Sequence, residues 1–126
     1  MMKGILFTAL FSLMTLVATA APRIILEDNQ THYQQTAKGY ILQFKLVATQ
    51  SEYTAMMDQV VGLADRLTMQ TTEDTDGTFN CVFTVNHQNH PEYVHKMLVS
   101  IGVAELEYKG NIQSVDTIID ILKSYL

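Results

Sequence analysis

The stretch YILQFKLV, residues 40–47, alternates large apolar side chains with a second set that includes Gln43 and Lys45. A repeat of two residues is typical of a β-strand that buries one face. The same repeat returns in FNCVFTV, residues 79–85, and in a more polar form in residues 67–71. Residues 40–47 therefore predict the first of several strands that share one apolar face.

The segment between the first two predicted strands has helical spacing. Its apolar side chains form one stripe from Tyr53 to Leu67, and Ser51 is a residue type that caps helices. The next connection is DTDG, residues 74–77, and Asp-Gly between two strand patterns indicates a hairpin. The pattern up to residue 85 is therefore strand, helix, strand, hairpin and strand.

The second half of the chain predicts three more elements. Pro91 suits the first turn of a helix that Gly102 can end, and residues 103–108 alternate as a short strand. The last helix carries an apolar stripe at Ile112, Val115, Ile118, Ile119, Leu122 and Leu126. Such a stripe must be buried, either against the edge of the sheet or against another chain.

The order strand-helix-strand-strand-helix-strand resembles the ferredoxin-like fold, and the resemblance covers residues 39–108. It implies an α+β domain with an antiparallel βαββαβ sheet and one added C-terminal helix. Strands 40–47 and 79–85 would be central, and the other two would be edges. One sheet face would carry the helices. The opposite face would be polar and wet, with Gln43, Lys45, Thr68, Gln70, Asn80, Thr84, Glu105 and Glu107.

The N-terminus has the order of regions found in secretory signal peptides. Lys3 precedes an apolar run over residues 5–17, and Ala18-Thr19-Ala20 supplies the small residues of a cleavage site. The alternative is a membrane anchor, but the run is short for about 30 Å of hydrocarbon. We expect residues 1–20 to be a signal peptide, the mature protein to be periplasmic or secreted, and no membrane anchor to remain after cleavage.

The mature chain is expected to be one small domain. Residues 21–38 are expected to form an irregular N-terminal leader, with a possible short strand at 23–26, and residues 39–126 a single α+β domain. The formal net charge of the chain is −5, without a basic run. This composition argues against binding to nucleic acid or to anionic lipid.

Three histidines in HQNHPEYVH, residues 87–95, are the candidate metal ligands: His87, His90 and His95. Imidazoles suit zinc, copper or nickel, and the topology brings His32 and Asp65 to the same end of the sheet. The competing interpretation is structural: His90 caps a helix, His87 lies in a loop and His95 is a solvated helix residue.

Two families with this topology supply no function. The heavy-metal-associated domains bind metal through a Cys-x-x-Cys after the first strand, and acylphosphatases need an arginine in a glycine-rich phosphate cradle there. Residues 48–51, ATQS, contain neither motif. The resemblance to both families therefore concerns topology only, and no cofactor is implied.

Cys81 is the single cysteine, and with a histidine it would be the one conceivable nucleophile and base pair. Its place in the middle of a strand, on the apolar face, favours a buried small residue over a free thiol or an intermolecular link. Whether the chain is an enzyme is left open, with a non-enzymatic role favoured.

The expected function is an exported small binding or protein-interaction module. Its partner, or a second copy, would dock on the C-terminal helix. The alternative is a protein that binds metal or a small ligand at the end of the fold that carries His87, His90 and His95.

Overall fold

The computed structural model describes residues 22–86 and 90–125. Its strands are β1 (Arg23–Leu26), β2 (Tyr33–Gln35), β3 (Tyr40–Val47), β4 (Leu67–Glu73), β5 (Phe79–Val85), β6 (Glu105–Tyr108) and β7 (Asn111–Ser114). Its α-helices are α1 (Gln50–Gly62), α2 (Pro91–Ser100) and α3 (Ile118–Tyr125), with short 3₁₀ helices at Gln30–His32 and Val115–Thr117. The protein is therefore a mixed α+β structure with a seven-stranded sheet.

The alternation read in residues 40–47 and 79–85 is confirmed. In β3 and β5 every second side chain is buried, and these side chains join one core with buried residues of all three helices. Leu42, Leu46 and Phe83 have no exposed surface. The helices thus cover one face of the sheet, and the polar side chains of alternate positions lie on the other face.

The turns and helix starts follow the local sequence with one correction. Asp74 N–H donates to the Thr78 carbonyl at 2.8 Å, which closes the predicted hairpin between β4 and β5. The predicted cap of the first helix, Ser51, is wrong. Thr49 caps α1 instead, because it forms a reciprocal capping box with Glu52.

The strand order departs from the ferredoxin-like expectation. The sheet runs β4-β5-β3-β1-β6-β7, so β1 lies between β3 and β6. β1 pairs antiparallel with β3 and parallel with β6, and β7 covers the far side of β6. The simple βαββαβ order would make strand 105–108 an edge strand next to β3. In the structure it is neither an edge strand nor a neighbour of β3.

The possible short strand at residues 23–26 is present as β1, whereas the expectation of an irregular leader is wrong at Tyr33–Gln35, which form β2. Ile24 and Leu26 are buried at the centre of the sheet, and Tyr33 of β2 is also buried. β1 has four residues, and its partners lie about twenty and eighty residues further along the chain. Such pairings are non-local, and so a single short apolar run does not reveal them.

The C-terminal helix begins later than the pattern predicted. Residues 111–114 form β7, and Ile112, which was assigned to the helical stripe, is 55% exposed. α3 buries Ile118, Ile121 and Leu122 and packs against α2 of the same chain. Within the described residues, the helical part of this stripe is therefore covered mainly by its own chain.

Among the described residues, no helix combines the length and apolarity needed to cross a membrane. The predicted signal peptide, residues 1–20, lies outside the described residues.

Candidate functional site

A loop lifts out of the sheet between β1 and β2. Ile25 of β1 pairs with Lys45 of β3, and Tyr33 of β2 pairs with Leu42. Seven residues, 26–32, therefore connect the two paired positions, whereas only two β3 residues lie between their partners. The excess chain forms an excursion that includes the 3₁₀ helix, whose first turn is capped by the Asn29 side chain. We call residues 27–32 the overhang.

The overhang walls a cavity of about 220 Å³ on the open face of the sheet. Glu27 and His32 border the cavity from the overhang, and its floor is formed by β3, β4 and β5. The floor side chains are mostly amides and other polar groups: Gln43, Lys45, Gln70, Thr72, Asn80 and Val82. Amides and hydroxyls bind through hydrogen bonds, so the cavity is suited to a small polar ligand.

Acidic side chains outnumber lysine in and beside the cavity. Lys45 Nζ lies 3.6 Å from Asp74 Oδ2 and 3.9 Å from Asp76 Oδ2, so its charge is shared by two carboxylates. Hydrogen bonds from the Thr78 side chain and backbone, with Lys45 nearby, hold the pKa of Asp76 below its usual value. The cavity lining itself contains one acidic side chain, Glu27, and one lysine, Lys45, and the two aspartates beside Lys45 add negative charge outside the lining.

His32 lies on the overhang with a buried ring nitrogen. Its Nδ1 is 3.9 Å from Glu27 Oε1, which is too long for a hydrogen bond, and it has no hydrogen-bond partner within the described residues. A buried polar atom without a partner is uncommon, because desolvation costs roughly 1–3 kcal/mol. The His32 side chain borders the cavity, and its Nδ1 lies on the side that faces Glu27.

A cluster of tyrosines fastens the overhang to the C-terminal helix. The Tyr33 and Tyr125 rings stack at 4.1 Å, and the Tyr33 hydroxyl donates to the Glu27 carbonyl at 2.8 Å. Tyr125 bonds to Asp28 and to the Tyr108 hydroxyl, and Gln30 Nε2 donates to the Tyr125 carbonyl at 2.9 Å. We call Tyr33, Tyr108 and Tyr125 the tyrosine clasp. It sets the position of one wall of the cavity.

The structure does not bring the predicted metal ligands together within its described part. His95 Nε2 lies 2.7 Å from Asp116 Oδ1, and His90 is exposed at an open depression beside Glu92 and Lys96. His90 occupies the N-cap of α2 but makes no side-chain capping bond. His87 lies outside the described residues.

His32 and Asp65, which were also expected at the histidine end, make their contacts elsewhere. His32 borders the cavity, and Asp65 makes a 4.0 Å ion pair with Arg66. Over residues 22–86 and 90–125, no three His, Cys, Asp or Glu side chains form a group that could hold a metal ion.

Cys81 lies on the core face, as its alternation predicted. It is 2% exposed, and burial raises the pKa of its thiol to about 12. Its backbone contributes to the cavity floor, while the side chain faces the opposite way. A thiol with this pKa is protonated near neutral pH and is a poor nucleophile.

The sequence contained part of the signal for this cavity. Gln43 and Lys45 are polar residues in the most apolar strand of the chain, and they were placed on the open face. Their association with Glu27 and His32 depends on the overhang. The polar sequence of residues 27–32 predicts only an irregular leader and does not indicate that this segment lies beside the sheet.

Comparison of the chain with protein-family models, with curated proteins and with solved structures finds no match. The cavity and its residues are therefore the features of the molecule that point to a function.

Proposed function

We propose that this protein is an exported binding module, not an enzyme, and that it holds a small polar ligand in the cavity under the overhang. The observation that carries the proposal is the cavity of about 220 Å³ that His32 and Glu27 border above a floor rich in amide side chains. The floor lies on a sheet face that the helices leave uncovered.

The charge of the cavity narrows the ligand class. Glu27 and Lys45 line the cavity, and Asp74 and Asp76 lie against Lys45 outside the lining, so acidic side chains outnumber lysine in and beside the cavity. Asp76 has a lowered pKa that keeps it ionised in mild acid. A neutral or positively charged ligand fits this surface better than an anion does. An amino sugar and a lysine-containing dipeptide are suitable probes.

The test is thermal unfolding of the chain with glucosamine or a lysyl dipeptide. A ligand that binds only the folded state raises the melting temperature as its concentration rises. We expect a rise that Gln43→Ala and His32→Ala abolish and that Gln34→Ala preserves, since Gln34 is exposed in β2 outside the cavity lining. Citrate should give no specific rise.

The proposal fails if neither probe raises the melting temperature, or if citrate acts as strongly as the cations. It also fails if the rise survives both cavity substitutions. Gln43 is exposed, so Gln43→Ala is expected to fold normally and keeps the test decisive if His32→Ala loosens the overhang.

The export of this module is part of the same proposal and derives from residues 1–20. Expression of the full chain in a bacterial host, followed by mass spectrometry of the periplasmic protein, tests it. A mature N-terminus at Ala21 supports export with cleavage after Ala20. An uncleaved chain in the cytoplasm would contradict it.

We also propose that the fold is a ferredoxin-like arrangement into which β1 has been inserted. The order β3-β5-β4, with α1 connecting β3 to β4 and α2 connecting β5 to β6, supports this relationship. Removal of β1 from the order would leave β6 next to β3.

A further inference from the structure

One edge of the sheet has no neighbouring strand within the described residues. β4 pairs continuously with β5, from Leu67 opposite Val85 to Glu73 opposite Phe79, and its other side is unpaired. Edge strands that avoid association commonly carry lysine, proline or a bulge. β4, with the sequence LTMQTTE, has a continuous register and neither of those residues.

The hydrogen bonds at the two ends of β4 show which backbone groups point outward. Asn86 N–H donates to the Arg66 carbonyl, and Asp74 N–H donates to the Thr78 carbonyl, so even-numbered residues bond to β5. Because antiparallel bonding alternates along a strand, Met69, Thr71 and Glu73 direct N–H and C=O groups outward. These groups form a ready template for another strand.

The flank of α1 beside this edge is apolar. The Tyr53 hydroxyl lies 2.5 Å from Thr71 Oγ1, so this flank of α1 faces β4. Met57 and Val61 follow Tyr53 at four-residue intervals and therefore lie on the same flank. Val61 is 73% exposed, the highest value among the exposed large apolar residues of the described chain.

The charges at the ends of β4 fit a second copy of the same strand. Arg66 precedes β4, and Glu73 and Asp74 stand at its other end. Antiparallel pairing with full overlap of seven residues would place Arg66 opposite Asp74 of the second copy. The same register places Thr68 opposite Thr72 and Gln70 opposite Gln70. Among the described residues, the Arg66 side chain has one ion-pair contact, an exposed 4.0 Å contact with Asp65.

We propose that β4 is a homodimerisation edge, with two copies paired antiparallel about a two-fold axis through Gln70. The pairing satisfies the outward backbone groups, matches Arg66 to Asp74 at both ends, and places the apolar flanks of the two α1 helices on the same face of the joined sheet. A continuous sheet of two subunits results. This inference does not depend on the ligand proposed for the cavity, and its tests use no ligand.

Disulfide cross-linking tests the register. Directly opposed, non-hydrogen-bonded residues have Cα atoms roughly 4.5 Å apart, within reach of a disulfide. We expect Gln70→Cys to give covalent dimers under mild oxidation. Gln43→Cys, on the same face but two strands away, should not. The double variant Thr68→Cys/Thr72→Cys should also cross-link. Native Cys81 is buried and serves as the background in the unmodified chain.

Sedimentation velocity of the purified protein, expressed as the full chain with its own N-terminus, tests whether it forms a dimer. We expect a concentration-dependent dimer between about 1 and 300 µM. Gln70→Lys places two like charges at the axis and should weaken the dimer about fivefold at low salt, with recovery at high salt. Gln43→Lys adds the same charge away from the axis and should leave association unchanged.

A monomer at every concentration would overturn the proposal. A dimer that cross-links equally through residues 43 and 70, or that responds equally to both lysine variants, would also overturn it. Gln70 is exposed, so its variants are expected to fold, and circular dichroism of each variant verifies this point.

Discussion

The sheet has two halves with different construction. The hairpin half, β3, β4 and β5, has strands of seven or eight residues in continuous register. The terminal half, β1, β6 and β7, has strands of four residues. β1 pairs with β6 across about eighty residues of the chain, and β6 and β7 form a local hairpin. Backbone pairing is extensive in the first half. The second half depends more on α3 and the tyrosine clasp, which tie chain segments almost a hundred residues apart.

This difference teaches where each half should be vulnerable. A substitution in the hairpin half should disturb closely packed, paired backbone. A substitution in the terminal half should weaken side-chain hydrogen bonds between segments that are distant in sequence. The following predictions test that contrast, from the largest expected effect to the smallest.

The largest effect is expected at Gly39, where the chain enters β3. A Cβ at this position would lie 1.8 Å from the Val85 carbonyl oxygen of β5. Because backbone must move to relieve this clash, Gly39→Ala should lower the free energy of unfolding by about 3 kcal/mol. Gly62→Ala is the matched control, since a Cβ there meets nothing within 4 Å. Urea unfolding of both variants measures the difference, and equal stability would contradict the close approach.

Alkaline pH should destabilise both halves through separate groups. Burial raises the pKa of Cys81 in the hairpin half to about 12, and burial with nearby negative charge raises the pKa of Tyr33 in the clasp. The folded state then keeps protons that the unfolded state releases. Stability is therefore complete below the unfolded pKa values, about 8.5 for Cys and 10 for Tyr, and falls above them.

The slope should approach about 1.4 kcal/mol per pH unit for each group within its window. Denaturant unfolding between about pH 8 and 11 measures it. Cys81→Ala should remove the decline that begins near the lower value. Tyr33→Phe should reduce the decline that begins near the higher value, because the pKa values of Tyr125 and Tyr40 are also raised. Unchanged slopes in these variants would mean that neither group is responsible.

Loss of one clasp hydroxyl should have a smaller and local effect. Tyr125→Phe removes the bonds to Asp28 and Tyr108, and should cost about 1 kcal/mol. Tyr53→Phe removes a single hydroxyl contact with Thr71 in the hairpin half and is the control. Hydrogen exchange should show faster exchange in the overhang and α3 for Tyr125→Phe only. Equal exchange in both variants would remove the distinction between the halves.

The smallest effect is expected from metal. We predict weak or no specific binding of zinc, and any binding that is found should depend on His87 and His90. Calorimetric titration of zinc into the tag-free protein near neutral pH is the measurement. A stoichiometric sub-micromolar site that His87→Ala and His90→Ala abolish would establish a metal function. Binding that survives both substitutions would place the site elsewhere.

The hairpin half was predictable because its determinants are local. Alternation in residues 40–47 and 79–85 identifies the buried faces of β3 and β5. Asp-Gly at 76–77 identifies the hairpin that joins β4 to β5. Each signal lies within a few residues of the structure that it specifies. The polar open face followed from the same period of two.

The cavity was only half predictable for the same reason. Gln43, Gln70 and Asn80 could be assigned to the open face from alternation, but Glu27 and His32 could not be assigned to the same site. The histidine end drew attention because three imidazoles are close in sequence. Closeness in sequence did not bring His90 and His95 to a shared partner, since the helix directs His95 to Asp116.

The sequence by itself determined the period of the strands, the buried side of each, the hairpin and the start of α2, because these depend on neighbours within a few residues. Only the tertiary structure decided that β1 enters the middle of the sheet, that α3 covers α2, and that residues 27–32 overhang a cavity. β1 and β7 are too short to carry a period of their own. β1 is stabilised by partners tens of residues away and β7 by its hairpin with β6, and a linear pattern does not encode which of several edges a short strand will join.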